Sequence, residues 1–120
     1  MENKVLICDD DEGILDLLTL VLAAKKINAV TERNSANIFE KITQEQPSVV
    51  ILDLWMPVLS GEQIVKKLKL NAQTKDLPVI IFSASIDGKK IAHDAGADEF
   101  LEKPFDLKKL LDKVNVHLRH

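Results

Sequence analysis

Residues 49–57 read Val-Val-Ile-Leu-Asp-Leu-Trp-Met-Pro, and the reading of this stretch decides the fold. Its first four residues are apolar and mostly β-branched, the composition of a strand buried on both faces. Asp53 ends the run, and Met56-Pro57 opens a turn. An ionisable group closing a buried strand is costly unless something compensates it. In open parallel α/β sheets that end also borders the crevice where ligands bind. A lone aspartate there serves equally well as a helix cap or turn former. Its role depends on what the rest of the chain brings beside it.

On the N-terminal side, residues 5–8 (Val-Leu-Ile-Cys) form another short apolar run, ending in Asp9-Asp10-Asp11-Glu12. Carboxylates favour a helix start, so strand then helix is expected. Ile14, Leu17, Leu18 and Val21 recur at helical spacing, and Leu15, Leu20 and Leu22 widen that stripe beyond one face. Residues 27–31 suit a weaker edge strand. Asn34 or Ser35 is placed to cap a second helix with Ile38, Phe39 and Ile42 inward. On the C-terminal side, Ser60-Gly61-Glu62-Gln63 has the form of a capping box ahead of Ile64, Val65 and Leu68. Residues 77–82 read as a fourth strand, with Pro78 tolerable only near its start, and they end at Ser83. Asp87 is placed to cap a short helix that Gly96 stops. Residues 98–102 give a fifth strand closing on Lys103-Pro104. Asp106 caps a last helix with Leu107, Leu110, Leu111, Val114 and Leu118 inward. Five strands alternating with five helices imply an α/β fold, a parallel sheet covered on both faces by right-handed crossovers.

A chain of 120 residues has room for one core, so residues 1–120 are expected to be a single domain. A net charge of −3 argues against a general nucleic-acid or anionic-membrane binder. No apolar run approaches the roughly 20 residues of a membrane span. The N-terminus lacks a signal-peptide pattern, and the expected location is cytoplasmic. Cys8 is the one cysteine, which excludes a disulfide framework and a thiolate metal cage. Its apolar setting suits a packed thiol.

If the sheet is parallel, its strand C-termini deliver Asp9, Asp10, Asp53, Ser83 and Lys103 to one edge. Crowded carboxylates repel, and one is pushed toward protonation unless a cation is present. Mg²⁺ suits such a site, since it takes one or two carboxylates, keeps waters and accepts phosphate oxygens. Lys103 adds a fixed positive charge and Ser83 a hydroxyl donor. These groups fit phosphoryl transfer to an aspartate, in which positioning and charge neutralisation do most of the catalysis.

Four segments, VLICDDD, VVILDLWMP followed by Gly61, PVIIFSA and GADEFLEKPF, together resemble the receiver domain of two-component response regulators along the whole chain. The resemblance implies a CheY-like, flavodoxin-like doubly wound (βα)5 fold with strand order 2-1-3-4-5. It implies that Asp53 is the phosphoacceptor and that Asp10, Asp53 and the Trp55 main-chain carbonyl ligate Mg²⁺ (or Mn²⁺). Asp9 would act through water, Lys103 and Ser83 would contact the phosphoryl group, and Lys103-Pro104 would be a cis peptide. Such a domain is not a conventional enzyme, although it catalyses its own aspartyl phosphorylation and slow autodephosphorylation. The implied partners are a sensor histidine kinase or histidine phosphotransfer protein and a downstream target or output domain, with a homodimer on phosphorylation as a further option. No direct nucleic-acid or membrane partner is expected.

The resemblance also implies a switch. Phosphorylation adds about −1.5 to −2 charge. Ser83 moves toward it and the residue at position 100 packs inward, biasing the surface of the fourth helix, fifth strand and fifth helix. Phe100 stands where the family often carries tyrosine; phenylalanine can rotate and pack there but has no hydroxyl to donate. Trp55, two residues after Asp53, is expected to cover the acyl phosphate, or else to be an exposed partner-binding aromatic.

Simpler readings stand beside these. The acids of residues 9–12 are also a charged helix start, Ser83 a turn residue, Lys103 a solvated lysine and Phe100 a core aromatic. Lys66, Lys67, Lys69, Lys89 and Lys90 read as solvated helix faces, and His93, His117 and His120 as surface residues. Two rival functions remain. Asp9-x-Asp11 after an apolar strand also resembles the haloacid dehalogenase pattern, which would make Asp9 the nucleophile of a phosphatase. A receiver that only binds proteins, without phosphorylation, is the other.

Overall fold

The computed structural model describes residues 3–118. The run at residues 49–53 is buried along its whole length, and it lies in the middle of the sheet, where apolar side chains can point both ways. Strands β1 (Lys4–Cys8), β2 (Asn28–Glu32), β3 (Val49–Asp53), β4 (Val79–Ser83) and β5 (Glu99–Glu102) pair in parallel in the order β2-β1-β3-β4-β5. Helices α1 (Glu12–Ala24), α2 (Ile38–Glu45), α3 (Gly61–Leu70) and α4 (Gly88–Ala95) form the four crossovers, and α5 (Leu107–His117) follows the last strand. This is the doubly wound α/β fold and the strand order that the sequence implies.

Because side chains alternate across a strand, the sheet separates two apolar cores. One gathers Val5, Ile7, Val49, Ile51, Ile80, Phe82 and Leu101 under α1 and α5. The other gathers Leu6, Cys8, Val50, Leu52, Val79 and Ile81 under α2, α3 and α4. Cys8 is fully buried, and desolvation pushes its thiol up to about 12, so it packs rather than reacts.

The caps explain where several helices begin. Asp11 accepts from Gly13 N at 2.9 Å and starts α1. Ser60 and Gln63 close a reciprocal capping box on α3, with Ser60 Oγ accepting from Gln63 N and Gln63 Oε1 from Ser60 N. Asp106 accepts from Lys108 N at 3.0 Å and starts α5, while Gly96, at φ +100°, ends α4. Between the two candidate caps of the second helix, Asn34 takes the role, accepting from Ala36 N in a 3-10 turn (Ser35–Asn37) that leads into α2.

Four details depart from the sequence reading. In α1 the sheet covers Leu15, Leu18 and Leu22, leaving Leu17 and Leu20 exposed. Both stripes have helical spacing, and the rotation of the helix on its strand connection selects between them. Lys69 is not a solvated lysine. Its ammonium donates to the carbonyls of Lys75 and Leu77 and to Asp98 Oδ2 at 2.9 Å, and Asp98 Oδ2 also accepts from Val79 N. Asp87 precedes α4 but makes no capping bond through its side chain. His117 is mostly covered, with Nε2 3.9 Å from Glu99 Oε2, whereas His93 is exposed; His120 lies outside the described residues.

Candidate phosphoacceptor site

All five strands run the same way, so their C-terminal ends share one edge, and three aspartates meet there. One carboxylate oxygen from each of Asp9, Asp10 and Asp53 lies within 4.8 Å of the others. Asp10 is exposed, whereas Asp9 and Asp53 are buried. The Lys103 ammonium sits 3.4 Å from Asp9 Oδ2 and 3.4 Å from Asp53 Oδ1, so one cation faces two acids. It also lies 4.7 Å from the centre of the Phe82 ring, which holds the lysine stem over the sheet edge. Lys103 follows β5, and the peptide from it to Pro104 is cis.

Burial dominates the electrostatics. Desolvation pushes Asp9 up to about 6, assisted by the charge of Asp53 and opposed by the Asp11 N–H donating to Asp9 Oδ1 at 2.9 Å. Asp53 is likewise raised by desolvation, with Lys103 and a hydrogen bond from the Trp55 N–H pulling the other way. One lysine thus does not satisfy the three acids. Hard oxygen donors in excess of the local positive charge are the donor set that a divalent cation fits.

Ser83 and Phe100 stand to one side. Ser83 is buried at the end of β4, its Oγ accepting from Ser85 N at 3.0 Å. The Ser83 carbonyl accepts from Lys103 N at 3.0 Å, linking the two strand ends through their backbones. A side chain on Gly88 would meet Ser83 Oγ at 3.1 Å and the Phe100 ring at 3.2 Å, so serine, glycine and phenylalanine are in close contact. Phe100 is half-buried and borders a groove of about 740 Å³ along α4, β5 and α5, whose walls include Lys89, Glu99, Asp112 and Lys113.

The loop after β3 carries Trp55, which is 57% exposed. This loop is fastened at several points that the sequence reading did not single out. Gly61 N donates to Leu54 O at 2.9 Å, and a Cβ on Gly61 would lie 2.6 Å from the Asp53 carbonyl oxygen. Glycine is required there by approach, and its presence at the first position of a helix, where better helix formers abound, is the signal in the sequence. Ser35, the alternative cap, is buried instead, and its Oγ donates to Pro57 O at 2.6 Å and accepts from Leu59 N at 2.9 Å. Nothing in the local sequence points to this long-range pairing.

Comparison with known proteins agrees with this geometry. The sequence pattern of the response regulator receiver domain matches residues 5–115. The transcriptional regulatory protein PrrA of Mycobacterium bovis is 36% identical over 118 residues, covering 97% of this chain and 50% of that protein. The transcriptional regulatory protein KdpE of Staphylococcus aureus is 32% identical over 118 residues, with 97% and 50% covered. The chain therefore spans about half the length of these curated relatives. Among solved structures, the chemotaxis protein CheY4 of Vibrio cholerae superposes with a TM-score of 0.87 at 27% identity, covering 98% of this chain and 100% of that one. A response regulator receiver domain protein from Clostridium thermocellum gives 0.86 at 29% identity, covering 96% and 93%. These matches set aside the dehalogenase alternative. Among the described residues no helix is long and apolar enough to cross a membrane.

Proposed function

The chain belongs to the response regulator receiver family of two-component systems, and from that premise we propose that Asp53 is its phosphoacceptor. A phosphohistidine on a sensor kinase or phosphotransfer protein is the donor. An Asp53 carboxylate oxygen forms the new P–O bond as the P–N bond breaks, and the histidine nitrogen leaves with that electron pair. The observation that carries the reading is the grouping of three strand-end carboxylates with a lysine 3.4 Å from two of them.

Asp10, Asp53 and the Trp55 main-chain carbonyl would hold Mg²⁺ or Mn²⁺ directly, with Asp9 acting through water. A bound divalent cation supplies the positive charge that the acids and the phosphoryl oxygens require. Lys103 stands ready to pair with a phosphoryl oxygen, since it already faces Asp53. Ser83 donates its hydroxyl to another, giving up its place on the Ser85 N–H. Phe100 follows into the space vacated, and the change reaches the groove along α4, β5 and α5. Output is a protein contact made with that surface, by a separate target, an attached output domain or a second copy.

Labelling by acetyl phosphate tests the reading. Wild-type protein takes up phosphoryl group only with Mg²⁺ or Mn²⁺ present, and Asp53→Asn takes up none. Labelling that survives Asp53→Asn sinks the assignment. Failure of Mg²⁺ with beryllofluoride to change the amide spectrum would favour a receiver that only binds proteins.

A further inference from the structure

Val58 has φ +72°, a left-handed conformation that a β-branched residue adopts only when its surroundings impose it. Leu59 N donates to Pro57 O at 2.9 Å, an i to i+2 bond that makes residues 57–59 a γ-turn of the rare, positive-φ kind. Such a turn is strained, and Val58 is 73% exposed, so packing of its own side chain does not hold it. What holds it is Ser35. This side chain comes from the start of the second crossover, is 1% exposed, and bonds both polar groups of the turn, donating to Pro57 O and accepting from Leu59 N. The same loop leaves the Asp53 end of β3, where Leu54 N donates to Phe82 O at 3.0 Å, and Trp55 follows two residues after Asp53.

We propose that Ser35 is a positioning residue for the phosphoacceptor: its hydroxyl closes the γ-turn at Val58 and so keeps the backbone of Trp55 aligned on Asp53. The proposal rests on the phosphoacceptor reading and adds to it a residue on a different crossover that touches neither phosphate nor metal. Gly61, bonded to Leu54 O, fixes the far side of the loop, so the Ser35 clasp and the Gly61 contact hold residues 55–59 between two anchors.

The test compares wild type, Ser35→Ala, Val58→Gly and Ser35→Ala/Val58→Gly. Trp55, the one tryptophan, reports Mg²⁺ titration by fluorescence; acetyl phosphate reports phosphorylation rate, and urea reports stability. Ser35→Ala removes both bonds that grip the turn and is expected to weaken Mg²⁺ binding and slow labelling, each by about tenfold. Glycine adopts the left-handed turn without a hydroxyl to hold it. Val58→Gly alone therefore behaves as wild type, and the double variant recovers most of both losses. A merely structural serine predicts lower urea stability with an unmoved Mg²⁺ titration, and that result overturns the proposal. So does a double variant no better than Ser35→Ala. If wild type takes no label at all, the phosphoacceptor reading falls, while the Mg²⁺ titrations still decide whether Ser35 sets the loop.

Discussion

The loops that leave β3 and β4 start side by side on the sheet edge and are built differently. Residues 54–60 are tied to the rest of the molecule: Leu54 N donates to Phe82 O, Gly61 N to Leu54 O, and Ser35 grips the turn from another crossover. Residues 84–87 are tied to themselves. Ser85 N donates to Ser83 Oγ, Asp87 N to Ser85 Oγ, and Gly88 N to Ser85 O, while Ile86 is 98% exposed. Local bonds of this kind open at low cost. A group that must be presented to a reagent in one geometry needs the first construction, and a segment that must respond to the product needs the second.

Glycine-to-alanine substitutions at the head of each following helix probe this difference most strongly. Gly61→Ala drives a Cβ to 2.6 Å from backbone, which does not yield, so a loss of about 3 kcal/mol in urea unfolding is expected, with slow labelling of Asp53. Equal stability to wild type would mean that the first loop is not fixed at that contact.

The next effect concerns the acids between the loops. Asp9 titrates near 6 when folded and near its ordinary value of 3.8 when unfolded, so between those values the folded state keeps a proton that the unfolded chain has released. Stability from this group is full below about pH 4 and is lost as pH rises through 6, by on the order of 2 kcal/mol. In EDTA, Asp9→Asn therefore raises stability at pH 7 and flattens the decline between pH 4 and 6. Divalent cation should reverse the ranking, because it stabilises the protein that keeps the Asp9 carboxylate more strongly than the one that lacks it. Denaturation series at several pH values, with and without Mg²⁺, check both statements.

Gly88→Ala meets only the Ser83 side chain and the edge of Phe100, at 3.0 Å and beyond, and gains helix propensity in return. Its stability change is expected to stay within about 1 kcal/mol, in contrast to Gly61→Ala. The effect should fall on the amide spectrum of residues 83–100 after beryllofluoride. A Gly88→Ala loss as large as that of Gly61→Ala would erase the distinction between the loops. Smallest of all is the effect expected of Trp55→Asn: if the indole shields an acyl phosphate on Asp53, its lifetime shortens a few-fold without a change in stability, and equal lifetimes would remove the shielding role.

Much of this was legible in the chain because the signals are local. An apolar run of four residues closing on Asp53, a Ser60-to-Gln63 box and a Gly96 stop each declare themselves within a few positions, and the alternation of elements then brings Asp9, Asp10, Asp53, Ser83 and Lys103 to one edge. Where local chemistry offers two equal answers, the sequence stays silent. Leu15-Leu18-Leu22 and Ile14-Leu17-Leu18-Val21 are both helical stripes, and only the docked helix chooses. Ser35 reads as a cap, yet its partners lie 22 and 24 residues away, and Val58 carries nothing in its side chain that announces positive φ. Lys69 reads as solvated because its three acceptors come from residues brought near by the fold.

The separation of the two cores has one more consequence, which concerns odd and even. Asp53 continues the Val49 and Ile51 side of β3, and Lys103 the Leu101 side of β5, so both belong to the layer of α1 and α5. Ser83 continues Val79 and Ile81, and Phe100 packs in the layer of α2, α3 and α4. The proposed acceptor and its counter-charge thus overhang one layer, while the hydroxyl and the ring proposed to answer them overhang the other. On the proposed reading, a change of charge at Asp53 is answered across the rim of the sheet, where Ser83 stands at the end of β4.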